Sequence, residues 1–456
     1  MKRRVIVTAV IFLAFFLPAC QPGGAPSSGS SLPTILTSAP LTKPSSTANE
    51  QRTATATPSP SLTITSSATP VLTSPPFPIP NLRAFYFSDG NIWTVEPPAP
   101  PIHFSPDMIP DLEHVWHRTS RALLSDDGKR IVFMLEGGAG FGLGEEVVAL
   151  NFNGSGYRRL LSKEQTGKLE LFGGRPDSVI DDITWIPMTH YLFLTTAGGP
   201  LGQSGLESNE DLFMLHADSG RYSKLLNAGE AGYPVPSPDG AMTALIKKDS
   251  LSINRTDGTM LFEFPFPKSS KFTFGDPIAF AWTGDSVSFG FLLRQESGNG
   301  VVYSINISSG VSSILGEVGE FSQVTLSPAL DYVGIIDPNG LSMEALDGSQ
   351  RILLSEQSGG FLSFAPDGKH IAYYVDSSQA RGQAFLGSPD GQLIAIPSPI
   401  VPRQFFWINN SQYVYLQEPA NIILGDIGGN FTTLLTLSHR IRFFTVKNLD
   451  LFMRRD

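Results

Sequence analysis

An all-β fold is predicted for most of this chain by two features: short strand-like runs with no long helical periodicity, and tight turns that recur at regular spacing. From about Leu82 onward, runs such as Arg130-Ile131-Val132-Phe133-Met134-Leu135 and Tyr413-Val414-Tyr415-Leu416 are separated by Gly, Asp, Asn, Ser and Pro. Ser237-Pro238-Asp239-Gly240 and Ala365-Pro366-Asp367-Gly368 are near copies, and Ser125-Asp126-Asp127-Gly128 is a close relative. Degenerate forms fall at Pro187-Met188-Thr189-His190, Thr283-Gly284-Asp285-Ser286, Pro328-Ala329-Leu330-Asp331 and Asn409-Asn410-Ser411-Gln412. Proline presets φ in such a turn, Asp bonds to nearby backbone, and Gly supplies positive φ.

A second turn follows in each unit: 153–156, 217–220, 256–258, 308–310, 346–348, 389–391 and 428–430. Each unit therefore reads strand, turn, strand, loop, strand, turn, strand. Four-stranded antiparallel units at roughly 40–50-residue spacing are the blades of a β-propeller. Seven are read directly. The eighth is expected to be shared between the termini: Ala84–Phe87, Ile92–Val95 and Ile102–Phe104 lack an innermost strand, which 441–446 would supply. Such pairing removes exposed sheet edges. Eight blades are favoured over seven, in one domain spanning 81–456.

The Ser-Pro-Asp-Gly turn, its following strand and the later Asp-Gly turn are similar to the WD-repeat-like units of TolB-type propellers. The same unit forms the propeller of the prolyl oligopeptidase family. That resemblance covers about residues 83–446 and implies a fold, not a reaction. No segment for the family's hydrolase domain is read after the repeats.

The N-terminus differs in kind. Met1-Lys2-Arg3-Arg4 is cationic, and Val5 to Leu17 is an almost unbroken apolar run, short for a bilayer span of about 20 residues. This reads as a secretory signal over 1–19. Leu17-Pro18-Ala19-Cys20 resembles the lipobox of bacterial lipoproteins, although Pro18 is less usual than Ala, Ser or Gly. The resemblance implies acylation of Cys20, with palmitate-like chains anchoring the protein to a membrane in the cell envelope, on its extracytoplasmic side. Cys20 is the only cysteine, so the chain forms no internal disulfide. Residues 21–80 are more than half Ser, Thr and Pro, with no aromatic residue before Phe77. Such a composition buries too little apolar surface to offset chain entropy. A disordered tether over 20–80 is expected, spanning on the order of 45 Å as a coil.

Insertions at 105–118, 136–145, 163–181 and 197–210 break the regular spacing. In a four-stranded blade all four lie on the face opposite the tight turns, and loops this long are usually functional or disordered. They nominate a binding surface of His114, Trp116, His117, Phe141, Glu145, Glu146, Arg175, Asp177, Asp181, Asp182, Glu207, Glu210 and Asp211.

Local catalytic signatures fail. Gly202-Gln203-Ser204-Gly205-Leu206 does not complete a nucleophile elbow. The glycines from Gly137 to Gly144 do not fit a dinucleotide fingerprint. His114 and His117 lack a third ligand. The formal charge is −10, and loss of Lys2, Arg3 and Arg4 with the signal leaves −13, which disfavours nucleic acid. No cofactor and no metal are expected. The expected function is that of a monomeric, non-catalytic binding or scaffold module for an envelope protein, peptide or glycan. The alternative is a propeller hydrolase acting on a glycan or a lactone, whose carboxylates would come from separate blades.

Overall fold

The computed structural model describes residues 80–449 except 89–90, 106, 110–114, 116–117, 137–143, 170–178, 199–206, 209–210, 228, 248, 269, 272–278, 358, 376–382, 398–399, 419 and 438–440. Over these residues the chain is almost entirely β, in antiparallel sheets whose four main strands follow sequence order. Tyr233–Pro236, Met242–Ile246, Ser250–Arg255 and Met260–Pro265 form one such sheet. The sheets beginning at Phe280–Trp282, Gln323–Leu326, Gly359–Phe364 and Ile400–Trp407 repeat the pattern, the first of them with an added two-residue strand at Ser270–Lys271. Two further units begin at Thr119–Leu124 and Val179–Trp185 and merge into a nine-stranded sheet through the single pair Gly144↔Ile180.

One sheet joins the two ends of the domain. Ile441–Asn448 pairs antiparallel with Leu82–Ser88, from Leu82↔Asn448 to Ser88↔Ile441, and Asn91–Val95 and Ile102–His103 complete it. The pairing expected between the terminal segments is present.

The tight turns stand where the sequence puts them, between first and second strands, and their chemistry explains why. Ser237 Oγ donates to Asp239 at 2.5 Å and accepts from Met242 N, while Asp239 accepts from Ala241 N at 3.0 Å. Ser125 and Asp127 repeat this at 2.6 Å. Ser286 and Leu330 hold the glycine position of two degenerate turns, with φ of 60° and 56°. The backbone shape therefore outlasts the glycine, at a cost of about 1–2 kcal/mol each.

Both faces of the inner strands are buried, which is why the strands read as continuous apolar runs rather than alternating ones. Along Arg130–Glu136, Ile131, Phe133 and Leu135 face Phe85, Phe87 and Ile92 of the terminal sheet. Val132 and Met134 face Ile180, Ile183, Leu192 and Leu194 of the next unit. Outermost strands are more exposed, with Met260, Ile314 and Leu393 at least half open to solvent.

Two expectations need correction. The 163–181 insertion is not loop throughout: Lys163–Thr166 is a one-turn helix capped by Ser162, whose hydroxyl accepts from Gln165 N while the Gln165 side chain bonds back to Ser162 N. The 197–210 insertion carries a strand pair, Glu207–Ser208 on Gly198 and Ala197.

Candidate functional site

The first strands of the sheets converge. Thr119–Leu124 touches both Ile441–Asn448 and Val179–Trp185, and contacts also link Phe280–Trp282, Gln323–Leu326, Gly359–Phe364, Ile400–Trp407 and Ile441–Asn448 in that order. Tyr233 of the remaining first strand lies 6.0 Å from Phe280, ring to ring, and Trp282 Nε1 donates to Val235 O at 2.9 Å.

Between these strands lies a cavity of about 690 Å³. Its wall is mainly aromatic and apolar, with Trp185, Phe364, Phe405, Phe406 and Trp407, and it is also lined by Thr184, Ser363 and Thr445 and by the charged Arg121 and Lys447. At one end Asp126, Pro187, Met188 and Pro238 come from the tight turns, so the cavity lies toward the turn-bearing ends of the strands. Three units are tied together there. Lys447 bonds Asp126 at 2.6 Å, and Asp126 accepts from Met188 N at 3.1 Å. Met188 has a left-handed φ of 63°, a conformation that a side-chain-bearing residue rarely keeps without surrounding restraint.

Trp185, Trp282 and Trp407 hold one position, the last residue of a first strand. Trp282 and Trp407 donate their indole N–H to Val235 O and Ser363 O of the preceding first strand, at 2.9 and 3.3 Å. Trp185 does not: its buried Nε1 has no hydrogen-bond partner among the described residues, although the side chain lines the cavity.

Away from the turns, the first strands carry charge. Arg121 and Asp182 each follow a register shift in their strands, and they form an ion pair. Burial pushes the Asp182 carboxyl above the usual carboxylate range, against the pull of Arg121, and burial likewise raises Asp181. Tyr233 is raised by burial and by the Asp182 charge, with Arg121 opposing. The group is a guanidinium held between two carboxyls and a phenol.

The predicted binding surface divides. Glu145 and Glu146 are knitted to Arg118 at 3.2 and 3.4 Å, with Lys163 on Glu145 and Arg159 on Glu146. Asp181 and Asp182 lie on Val179–Trp185, beside Arg121 of the neighbouring first strand. Asp211 is fully buried, where it accepts from Thr196 N at 2.9 Å and Thr196 Oγ1 at 2.7 Å. His114, Trp116, His117, Phe141, Arg175, Asp177 and Glu210 lie outside the described residues, as does the side chain of Glu207. Cys20 does too. The cavity escaped the sequence reading, although a tryptophan immediately before each of three turns was a visible signal. Among the described residues no group of three or more His, Cys, Asp or Glu could hold a metal ion, and no helix is long and apolar enough to cross a membrane.

No protein-family model matches the sequence, and no curated protein matches it. Solved structures similar to it include a dipeptidyl peptidase 4 from Porphyromonas gingivalis, at 14% identity and TM-score 0.47. That match covers 70% of this chain and 53% of the other, so the chain spans about half its length. A eukaryotic initiation factor follows at 12% identity and TM-score 0.48, over 78% and 84% of the two chains. An oligogalacturonate lyase from Vibrio parahaemolyticus shows 12% identity and TM-score 0.35, over 57% and 86%. At these scores the architecture rests on strand order and register. Those define a propeller-type all-β domain.

Proposed function

We propose that this chain is a lipid-anchored, extracytoplasmic binding protein: a signal over 1–19, acylated Cys20, a tether to residue 80, and an eight-bladed propeller over 81–456. The pairing of Ile441–Asn448 with Leu82–Ser88 supports closure by a shared blade, and the succession of four-stranded units supports the count. The domain binds a peptide, protein segment or glycan without transforming it. One observation carries this reading: the aromatic cavity walled by first strands from several sheets. Its volume falls in the range of about 300–1,000 Å³ typical of small-ligand sites, and flat rings with sparse hydroxyls suit prolyl or glycosyl surfaces.

The hydrolase reading draws on Asp181 and Asp182, whose raised carboxyls could donate protons. They are neighbours on one strand beside Arg121, not two groups facing each other across a gap, so binding is better supported.

Two measurements test the proposal. Metabolic labelling with a fatty acid should mark the wild-type chain and not Cys20→Ser. Titration of peptide and glycan arrays should reveal a ligand whose affinity falls at least tenfold in Trp407→Ala and Phe406→Ala. Ligand binding unchanged by both substitutions, or turnover of the bound ligand, overturns it.

A further inference from the structure

We propose that the cavity takes the C-terminal end of a peptide, with apolar side chains against its rings and the terminal carboxylate on Arg121. The inference rests on the cavity's being a ligand site and names the chemistry of its ligand.

Charge comes first. Arg121, Asp126 and Lys447 are the charged residues of the lining. Asp126 and Lys447 bond each other at 2.6 Å, so the cation of the lining that they do not balance is Arg121. Asp182 and the Tyr233 hydroxyl bond Arg121, and neither residue lines the cavity. The Asp182 side chain is 11% exposed against 40% for Arg121, so the carboxylate is enclosed while the guanidinium is open. A guanidinium has more N–H donors than these two partners use, and its planar fork matches a carboxylate. Burial also makes Asp181 and Asp182 reluctant to ionise, which reduces the charge opposing a further carboxylate.

Shape and lining chemistry agree. Arg121 stands three positions before the end of Thr119–Leu124, about 10 Å of strand away from the turn that carries Asp126. A peptide end entering from the turns would therefore reach Arg121 with its terminus first, its last side chains lying against Phe406 and Trp407. Thr184, Ser363 and Thr445 are the hydroxyl-bearing residues of the lining. A glycan brings hydroxyls on every ring, and each one enclosed without a partner is costly. The final residues of an apolar peptide bring few backbone groups and one carboxylate, which suits an apolar site with a small number of placed polar groups.

Paired peptides test this. Short N-acetylated peptides without Asp or Glu, ending in Phe, Leu or Trp, are titrated against the full-length protein in detergent, each as free acid and as C-terminal amide. For the tightest pair the acid should bind at least tenfold better than the amide. In Arg121→Gln that preference should fall below twofold, and Arg121→Lys should retain part of it. The contrast in the wild-type protein needs no variant to fold. Equal affinity of acid and amide overturns the inference, as does a preference that Arg121→Gln preserves, or binding by no peptide of the set. If 3-phenylpropionate alone binds as tightly as the best peptide, the peptide is overturned as the source of the carboxylate. A ligand that depends on Trp407 and carries no carboxylate leaves the cavity a ligand site and overturns only its carboxylate chemistry.

Discussion

His190 reaches from its own four-stranded unit to Asp127 of the preceding one, with Nε2 3.0 Å from the carboxylate. Its Nδ1 lies 2.7 Å from Asp218. Both ring nitrogens face carboxylates, so the bridge uses the imidazolium. Burial works against that charge, yet the bonds to Asp218 and Asp127 outweigh it and hold His190 above the usual histidine range. Asp127 is opposed by burial too. Its bonds from Ser125, Lys129 N and His190 win, and it titrates at about 2. Arg130 binds Asp218 at 2.5 Å and Lys129 lies 3.3 Å from Asp127, completing the charged surroundings.

A pH dependence follows. A histidine raised by folding stabilises fully below its unfolded value of about 6.5 and loses that contribution as pH rises through the folded value. Asp127 stabilises above its ordinary 3.8 and loses this as pH falls toward about 2. His190→Gln should therefore lower the melting temperature by on the order of 2 °C near pH 5–6, with the gap closing as pH rises through the folded value. Calorimetric scans across that range check it, and a gap that widens with pH contradicts the bridge.

Arg121 is the cation that Asp182 and Asp181 share. Arg121→Met should cost about 2 kcal/mol at pH 7, below the full cost of breaking a buried pair because the Arg121 side chain is 40% exposed. Losing the guanidinium raises both carboxyls further. The folded state then holds more protons than the unfolded one, and stability falls as pH rises through that window. Urea denaturation should show a smaller deficit at pH 5 than at pH 7. Equal deficits at the two values would remove Arg121 from this role.

Gly240 and Gly391 share a left-handed backbone, at φ of 70° and 80°, but not their surroundings. A methyl group at Gly240 would sit 2.1 Å from Pro187 O of the preceding sheet, whereas at Gly391 nothing lies within 4 Å. Gly391→Ala should cost only the conformational penalty, about 1 kcal/mol. Gly240→Ala adds a backbone clash between sheets and should cost about 3 kcal/mol or more. Equal melting points for the two variants would contradict this inter-sheet contact.

The turns were legible because their residues act locally: Ser, Asp and Gly bond or bend within five positions, as Ser237, Asp239 and Gly240 do. The terminal pairing was legible from a missing strand. The capping box of Ser162 and Gln165 was visible in sequence and passed over within an assumed loop. The cavity was hidden for a physical reason. Trp185, Phe364, Trp407 and Lys447 stand in separate sheets, and only the convergence of first strands brings them together. The Arg121–Asp182 pair was hidden differently, since it depends on register shifts that change which face a side chain takes.

The strand pair Leu82–Ser88 with Ile441–Asn448 also dictates an order of events. Leu82–Ser88 is among the first strands of the domain to be synthesised, and its partner is the last. Until Ile441–Asn448 is made, one edge of the early strand presents an open row of amides and carbonyls. Completion of that sheet is therefore late and joins very distant contacts, slow by the usual dependence on sequence separation.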